Sequence, residues 1–267
     1  MNEVLVRSLT GLVYIGLTVG AALAGPFTTL LLFLPVAVIA AGELHRLTWR
    51  TDDAPPLFWT RVLAGCLFLV IAVAPIATDW RAGFVLLTAF LLVLLSMGLT
   101  LFRGGPAPVQ EVAGQVLVLV YVALPFGLVP LVVARSWELF LGFMVLLWTS
   151  DTGAYVVGRL IGRHPLFPRV SPKKTIEGLL GGVAFTLLAA WIIARYWTAL
   201  DLADWLVLAV VVTITSTLGD LLESAFKRAA GVKDSGTLLP GHGGLLDRFD
   251  GFLLAMPATW VYLQALA

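Results

Sequence analysis

The sequence predicts an all-α, polytopic integral membrane helical bundle with about nine transmembrane helices. Of its 267 residues, 60% are hydrophobic and only 12% are charged, and the mean hydropathy is +0.97. A water-soluble domain cannot bury that much apolar surface, so the surrounding solvent must largely be lipid. The single cysteine, Cys66, excludes an intrachain disulfide and a thiolate zinc cluster. Its position inside an apolar run favours a role in packing.

Nine apolar segments are long enough, or nearly long enough, to cross a bilayer. They cover residues 4–24, 27–42, 59–77, 82–102, 112–134, 137–157, 177–199, 204–226 and 244–265. The second is short and could be re-entrant or tilted. The first could be mistaken for a cleavable signal peptide, but further apolar segments follow at once, which favours a retained span.

The distribution of basic residues predicts the orientation in the membrane. With the N-terminus inside, fourteen of the 17 lysines and arginines lie on the inner side, and the outer side keeps Arg81, Arg135 and Arg195. This asymmetry predicts a cytoplasmic N-terminus and, with an odd number of spans, a C-terminus outside. We divide the chain into N-terminal transmembrane helices, residues 1–134, and a C-terminal catalytic region, residues 135–267.

A dense polar block, the signature segment from Ser224 to Asp250, stands between two strongly apolar runs. Beside His242 and a glycine-rich turn, it contains four basic and three acidic residues. The basic residues are Lys227, Arg228, Lys233 and Arg248, and the acidic ones are Asp234, Asp247 and Asp250. On a helix, Asp247 and Asp250 would share one face, since they are three residues apart. Carboxylates that face each other near a bilayer are costly unless a cation lies between them. A divalent cation, Mg²⁺ or Mn²⁺, held by Asp220, Asp247 and Asp250 with a phosphate ligand would meet this need.

The predicted orientation brings several charged helix ends to the same interface. The sixth and eighth spans run inward and end at Asp151 and Asp220, and the seventh and ninth begin after Lys173–Lys174 and at Asp247. Their convergence predicts a single active site on the cytoplasmic side. Asp151 could hold metal or nucleotide. An ionised Asp220 inside the hydrocarbon costs about 2.5–3.5 kcal/mol, so it needs either an ion pair with Lys227 or Arg228, or a metal.

The stretch S-P-K-K-T-I-E-G, residues 171–178, precedes the seventh span. Pro172 breaks any preceding helix, and Ser171 or Thr175 can cap the next one. Lysines beside a helix N-terminus favour phosphate binding, and ordinary positive-inside anchoring is the alternative. Gly243 and Gly244 leave room for backbone to approach a phosphate.

Other polar residues receive weaker assignments. His242 is interpreted as a phosphate-contacting or structural residue, because attack by a phosphate oxygen requires no proton removal. Flanking anchorage accounts for Glu43 and Glu111, and His45 and His164, each alone in a predicted polar loop, receive no role.

The signature segment also resembles a known family. The pattern S-x-F-K-R, four residues, K-D-x-G, two residues, L-P-x-H-G-G-L-x-D-R-F-D is similar to the signature of phosphatidate cytidylyltransferases, without departure across its 27 positions. S-P-K-K-T-x-E-G and D-T-G-A-Y, residues 151–155, resemble further elements of that family. The resemblance implies a multi-pass enzyme of the cytoplasmic membrane, with a cytoplasmic active site, that joins CTP and phosphatidate into CDP-diacylglycerol and releases pyrophosphate.

The resemblance and the residue chemistry together assign candidate roles. Candidate catalytic residues are Asp220, Asp247, Lys227, Arg228, His242 and Arg248. Candidate substrate-binding residues are Lys173, Lys174, Lys233, Asp151, Ser224, Gly243 and Gly244. The expected partners are CTP, phosphatidate and the lipid bilayer, without nucleic acid, and the oligomeric state stays open, a homodimer included. The alternatives are an enzyme acting on another lipid phosphate or a polyprenol, and a secondary transporter, which the gathering of charge at one interface disfavours.

Overall fold

The computed structural model describes residues 3–49, 54–73, 79–103, 107–238 and 243–266. Helices make up most of these ranges: α1 Glu3–Ala24, α2 Pro26–Thr48, α3 Leu57–Ala72, α4 Asp79–Arg103, α5 Pro108–Val118, α6 Leu124–Arg135, α7 Trp137–Ile161, α8 Ile176–Tyr196, α9 Leu202–Ala229 and α10 Phe252–Ala265. A π-helical turn, Leu119–Ala123, joins α5 to α6, and a 3₁₀ turn covers Leu246–Arg248. One antiparallel hairpin, β1 Pro165–Phe167 and β2 Ser171–Thr175, lies between α7 and α8.

The helices coincide with the apolar segments of the sequence. Within the described ranges, five helical runs are long and apolar enough to cross a membrane; they are α2, α5 continued into α6, α7, α8 and α9. Shorter apolar helical stretches occur in α1, α3, α4 and α10. The fold is therefore all-α apart from the hairpin, as predicted, and it is that of a polytopic membrane protein.

Two predicted boundaries were wrong. The second span is not short, because α2 has 23 residues and continues to Thr48. The predicted ninth span corresponds to α10, which begins at Phe252 and not near residue 244. Asp247 and Asp250 therefore do not share a face of one α-helix. Side-chain bonds to nearby backbone replace helical bonds there: Asp250 Oδ1 accepts the N–H of Gly251 at 2.6 Å, and Asp247 Oδ2 accepts that of Gly244 at 2.8 Å.

The chain divides into two compact units, Met1–Ala134 with Ala230–Phe249, and Arg135–Ala229 with Asp250–Ala267. In the first unit, the rings of Phe33, Phe126 and Phe249 have centroids between 5.0 and 6.2 Å apart. All three rings are buried, and such aromatic contacts stabilise a core beyond the area they bury. Phe249, near the end of the signature segment, thus belongs to the core formed with the N-terminal helices.

In the second unit, α7 and α8 pack closely through small residues. A Cβ added at Gly153 would lie 2.7 Å from Cβ of Phe185, and one at Gly182 would lie 3.1 Å from the carbonyl oxygen of Ser150. Helix α8 meets α9 at Thr186 and Thr213, whose buried hydroxyls are 2.8 Å apart. This close packing fixes the ends of α7, α8 and α9, where the polar residues lie.

Candidate active site

Asp220, in the C-terminal half of α9, forms an ion pair with a lysine of the hairpin. Its Oδ2 lies 2.5 Å from Nζ of Lys174, and the two side chains are 32% and 28% exposed. Its Oδ1 accepts a hydrogen bond from the hydroxyl of Ser224 at 3.2 Å. The ion pair considered for Asp220 with Lys227 or Arg228 is thus replaced by a pair with Lys174.

Two further carboxylates of the second unit share this environment. Asp250 interacts electrostatically with Asp220, Asp151 and Lys174, and Asp151 interacts with Asp220 and Lys174. Three carboxylates and one ammonium group leave the cluster with an excess of acidic groups. We call these four residues the acidic cluster.

Close backbone packing brings Asp250 beside α9. A Cβ added at Gly219 would lie 2.6 Å from the carbonyl oxygen of Asp250, and one at Gly251 would lie 3.0 Å from Cβ of Ser216. Any larger residue at position 219 would push the turn at Asp250 away from the helix. The glycine next to Asp220 is therefore explained by the close packing of α9 against the turn at Asp250.

The hairpin carries the two predicted lysines. Lys173 and Lys174 lie on β2, and Thr175 ends that strand and caps α8 by accepting the N–H of Gly178 at 3.1 Å. Of the two residues proposed as caps, Thr175 is the one that acts. Glu177 secures the start of the hairpin, because its Oε2 accepts the N–H groups of Arg163 at 3.1 Å and His164 at 3.2 Å.

A cavity of about 610 Å³ in the second unit opens onto the acidic cluster. Its polar lining includes Asp151, Asp220, Lys173, Lys174, Thr175, Thr217, Ser150, Tyr155 and Arg159. Arg159 Nη1 donates a hydrogen bond to the hydroxyl of Tyr155 at 2.7 Å. The cavity therefore combines carboxylates with three cationic side chains, a composition suited to a phosphate ester and a metal ion together.

The sequence analysis missed Tyr155 and Arg159. The signal was available, because Asp151, Tyr155 and Arg159 follow one another at intervals of four residues. Residues at that spacing lie on one face of a helix, and all three belong to α7.

The first unit holds the rest of the signature segment. Asp247 Oδ2 accepts three hydrogen bonds, from the backbone N–H of Ser235 at 2.8 Å, its hydroxyl at 2.9 Å and the N–H of Gly244 at 2.8 Å. Gly243 has φ +81°, a conformation that favours glycine, and a Cβ there would lie 2.8 Å from Asp247 Oδ2. The space beside Gly243 is thus taken by the Asp247 carboxylate, and the space beside Gly244 by the side chains of Ser235 and Glu43.

The other basic residues of the signature segment differ in burial. Lys227 is buried in α9, with Nζ 3.0 Å from Oε1 of Glu223 in an i, i+4 arrangement. Arg228, Lys233 and Arg248 are exposed. His242 lies outside the residues that the structure describes.

Two residues of α2 set aside in the sequence analysis are buried. Glu43 is 3% exposed and accepts the N–H groups of Leu245 at 3.0 Å and Leu246 at 2.7 Å. His45 is 4% exposed, with Nδ1 2.9 Å from the hydroxyl of Thr60. The interpretation of Glu43 as a flanking anchor was wrong, as was the view that His45 stands alone in a polar loop. Glu111 is 5% exposed and is no surface anchor either.

The donor set of the acidic cluster fits a magnesium ion. Among the described residues, no three His, Cys, Asp or Glu side chains are grouped tightly enough to hold an ion by themselves. Mg²⁺ usually binds through one or two carboxylates together with water and substrate phosphates, and seldom in an all-protein cage. Hard carboxylate oxygens beside a cavity with cationic walls provide that kind of partial site.

Comparison with known proteins decides the family. The family model described as "Cytidylyltransferase family" matches residues 5–266. The chain belongs to the cytidylyltransferase family. Within it, the chain is 34% identical over 262 residues to the phosphatidate cytidylyltransferase of Staphylococcus haemolyticus, covering 97% of this chain and 98% of the relative.

Further relatives in the cytidylyltransferase family give the same result. The proteins of the same name from Staphylococcus epidermidis and Staphylococcus aureus are 31% and 30% identical, each over 97% of this chain and 98% of the relative. The similarity extends from end to end and is not confined to the signature segment. The chain is therefore an enzyme of the nucleotidyltransferase class.

Proposed function

We propose that this enzyme transfers the cytidylyl group of CTP to phosphatidate, which yields CDP-diacylglycerol and pyrophosphate in phospholipid biosynthesis. The observation that carries the proposal is the similarity, over 97% of the chain, to relatives named phosphatidate cytidylyltransferase. The cavity beside the acidic cluster supports it independently, because it combines cationic and carboxylate groups in a membrane protein. A lipid phosphate and a nucleotide both need such an environment.

The cationic side chains of the cavity bind the phosphates. Lys173, Lys174 and Arg159 all line it, and the guanidinium group of Arg159 can contact two phosphate oxygens at once. Both substrates are anionic, so they repel each other unless cationic groups screen their charges. Screening of this kind lowers the barrier most when the cations are already fixed around the reacting phosphorus.

The reaction is an in-line displacement at the α-phosphorus of CTP. An ionised oxygen of phosphatidate forms the new bond to that phosphorus, while the bond to the bridging oxygen of the β-phosphate breaks and pyrophosphate leaves. The attacking oxygen carries no proton that must be removed, so no general base is required. His242 therefore contacts phosphate or maintains the loop.

The carboxylates hold the metal. Asp220, Asp151 and Asp250 would hold Mg²⁺ or Mn²⁺, and the assignment of Asp247 as a ligand stays a prediction from the sequence. When bound, the ion neutralises charge on the transferring and leaving oxygens. Lys174 holds Asp220 through its 2.5 Å contact and orients this carboxylate before the substrates arrive.

We also propose nine crossings of the cytoplasmic membrane, with the N-terminus and the active site facing the cytoplasm and the C-terminus outside. The support is the location of fourteen of the 17 lysines and arginines in segments on one side. CTP and phosphatidate would meet at the lipid–water interface on that side.

The decisive experiment measures transfer of label from CTP, labelled at the α-phosphate, into organic-extractable lipid by the purified protein in detergent micelles. Phosphatidate should be the best acceptor and CTP or dCTP the best donor. Efficient transfer to a polyprenol or a different lipid phosphate, with none to phosphatidate, would replace the proposed substrate by the alternative. No nucleotidyl transfer to any lipid would refute the proposal.

A further inference from the structure

Glu43 ties the end of the signature segment to helix α2 inside the first unit. Its Oε1 accepts the N–H of Leu245 at 3.0 Å, and its Oε2 accepts the N–H of Leu246 at 2.7 Å. The side chain is 3% exposed, so water does not compete for these bonds. Hydrogen bonds from backbone N–H groups to a buried carboxylate are charge-assisted and stronger than neutral ones.

The chain around the carboxylate leaves no space for additional atoms. A Cβ added at Gly236 would lie 2.5 Å from Oε1 of Glu43, and one at Gly244 would lie 2.6 Å from Oε2. Two separate parts of the 230–249 segment therefore pack directly against the same carboxylate. Glu43 therefore contacts the described parts of the segment on both sides of residues 239–242.

Ser235 connects Glu43 to Asp247. The Ser235 hydroxyl lies 2.9 Å from Asp247 Oδ2 and 3.3 Å from Glu43 Oε2. Because a hydroxyl has a single proton, it donates to one carboxylate at a time, and the shorter distance favours Asp247. The carboxylates of Glu43, on α2, and Asp247, within the signature segment, thus both contact Ser235.

From these contacts we infer that Glu43 is a positioning residue for the 230–249 segment and, through it, for Asp247. Its importance for catalysis rests on the proposed function and on the predicted role of Asp247 in it. The anchoring of the segment by Glu43 does not rest on the proposed function. It concerns only the conformation of the segment and can be measured without any substrate.

The substitution Glu43→Gln isolates this anchor with little change in size. Glutamine has one acceptor oxygen and one NH₂ group, which is a donor. If the oxygen accepts from Leu246, the NH₂ group faces the N–H of Leu245, so two donors oppose each other. The variant loses at least one of the bonds that hold the segment to α2.

Glu138→Gln is a matched control. Glu138 Oε2 also accepts two backbone N–H groups from a distant loop, those of Thr198 at 3.1 Å and Ala199 at 2.9 Å. It performs the same chemistry in the second unit, and it is not among the residues that line the cavity. General damage from losing a carboxylate that accepts two backbone N–H groups should therefore appear in this variant too.

The first measurement is limited trypsin cleavage after the exposed Lys233, in detergent and without substrate. Loss of one charge-assisted bond should raise local opening of the segment and accelerate this cleavage about tenfold in Glu43→Gln. The second is steady-state kinetics per mole of folded protein, where kcat/KM should fall roughly tenfold or more. Glu138→Gln should match the wild type in both, even if its thermal stability falls.

Gly236→Ala provides a second perturbation that keeps the carboxylate and its charge. The new Cβ displaces Glu43, so faster cleavage and lower kcat/KM are expected here too, and this variant decides the question if Glu43→Gln does not fold. Wild-type cleavage at Lys233 in the folded variant would overturn the anchoring. Faster cleavage with unchanged kinetics per folded protein would overturn the positioning role.

The result also separates this inference from the proposed function. If the wild type transfers no cytidylyl group but Glu43→Gln is cleaved faster, the anchor stands and the proposed function fails. If the wild type is active and cleavage is unchanged, the anchor fails alone.

Discussion

Substitution of Lys174 by glutamine tests how the acidic cluster works. The lysine Nζ lies 2.5 Å from Asp220 Oδ2, and the same side chain lines the cavity proposed for the substrate phosphates. Glutamine retains a polar side chain of moderate length but removes the charge. The variant therefore leaves three carboxylates together without their lysine, and it removes one cation from the proposed phosphate site.

The magnitude follows from the exposure of the pair. With the two side chains 28% and 32% exposed, the ion pair contributes at most about 1 kcal/mol to stability, so the variant should fold. A charge-assisted contact to a substrate phosphate contributes more, about 1.5–3 kcal/mol. That corresponds to a roughly ten- to hundredfold loss of kcat/KM. The large kinetic effect should thus accompany a small change in thermal stability.

The assay is steady-state kinetics with CTP and phosphatidate varied separately, with folded protein quantified in each sample. Lys173→Gln is the matched comparison, because Lys173 precedes Lys174 on β2 and also lines the cavity. Among the described residues, Lys173 has no carboxylate within ion-pair distance. We expect a smaller loss of kcat/KM in Lys173→Gln than in Lys174→Gln. Wild-type kcat/KM for both substrates in Lys174→Gln would refute the role of Lys174 in phosphate binding and in preparing Asp220.

Three further predictions follow. Asp220→Asn should fold normally but lose at least about a hundredfold in kcat, and activity that survives the substitution would remove Asp220 from the mechanism. Chelation of divalent cations should abolish wild-type activity until Mg²⁺ is restored, and activity that survives chelation would remove the metal. Gly153→Ala should destabilise the protein by about 1–3 kcal/mol through overpacking, because its Cβ would meet Phe185 at 2.7 Å, whereas Gly83→Ala, which meets nothing within 4 Å, should leave the thermal unfolding midpoint nearly unchanged. In a Cys66→Ala background, Arg169→Cys should react with an impermeant thiol reagent only from the cytoplasmic side and Ala265→Cys only from the opposite side; labelling of both from one side would mean a miscounted span.

The helices were predictable because a bilayer requires long apolar segments, and this requirement dominates local propensity. The same logic failed at the ninth span, where apolar residues 244–246 precede the charged turn without extending the helix. There, the carboxylates of Asp247 and Asp250 bond to backbone N–H groups close to them in sequence. Such local bonds compete with helix formation, and hydropathy does not report them.

The contacts of Glu43 could not be predicted from the sequence, for a different reason. Its partners Leu245 and Leu246 lie about 200 residues away and contribute backbone N–H groups, which every residue except proline has. No side-chain type at positions 245 and 246 could reveal the contact. The only available signal was the cost of a lone carboxylate after the apolar run at the end of α2, which required some partner without identifying it.

Helix geometry, in contrast, limits which cationic residues can pair with Asp220. On α9, Glu223 stands four residues before Lys227 and the two form an ion pair at 3.0 Å. Asp220 stands seven residues before Lys227, about 10 Å along the helix axis, so the helical spacing favours Glu223 as the closer carboxylate for Lys227. Asp220 must therefore be neutralised from another element, and Lys174 on the hairpin does so. A partly exposed lysine on a short hairpin can exchange a carboxylate for a phosphate more readily than a buried lysine within a helix. For this reason we expect Lys174, and not Lys227, to move its charge from Asp220 to the substrate when CTP and a divalent cation enter the cavity.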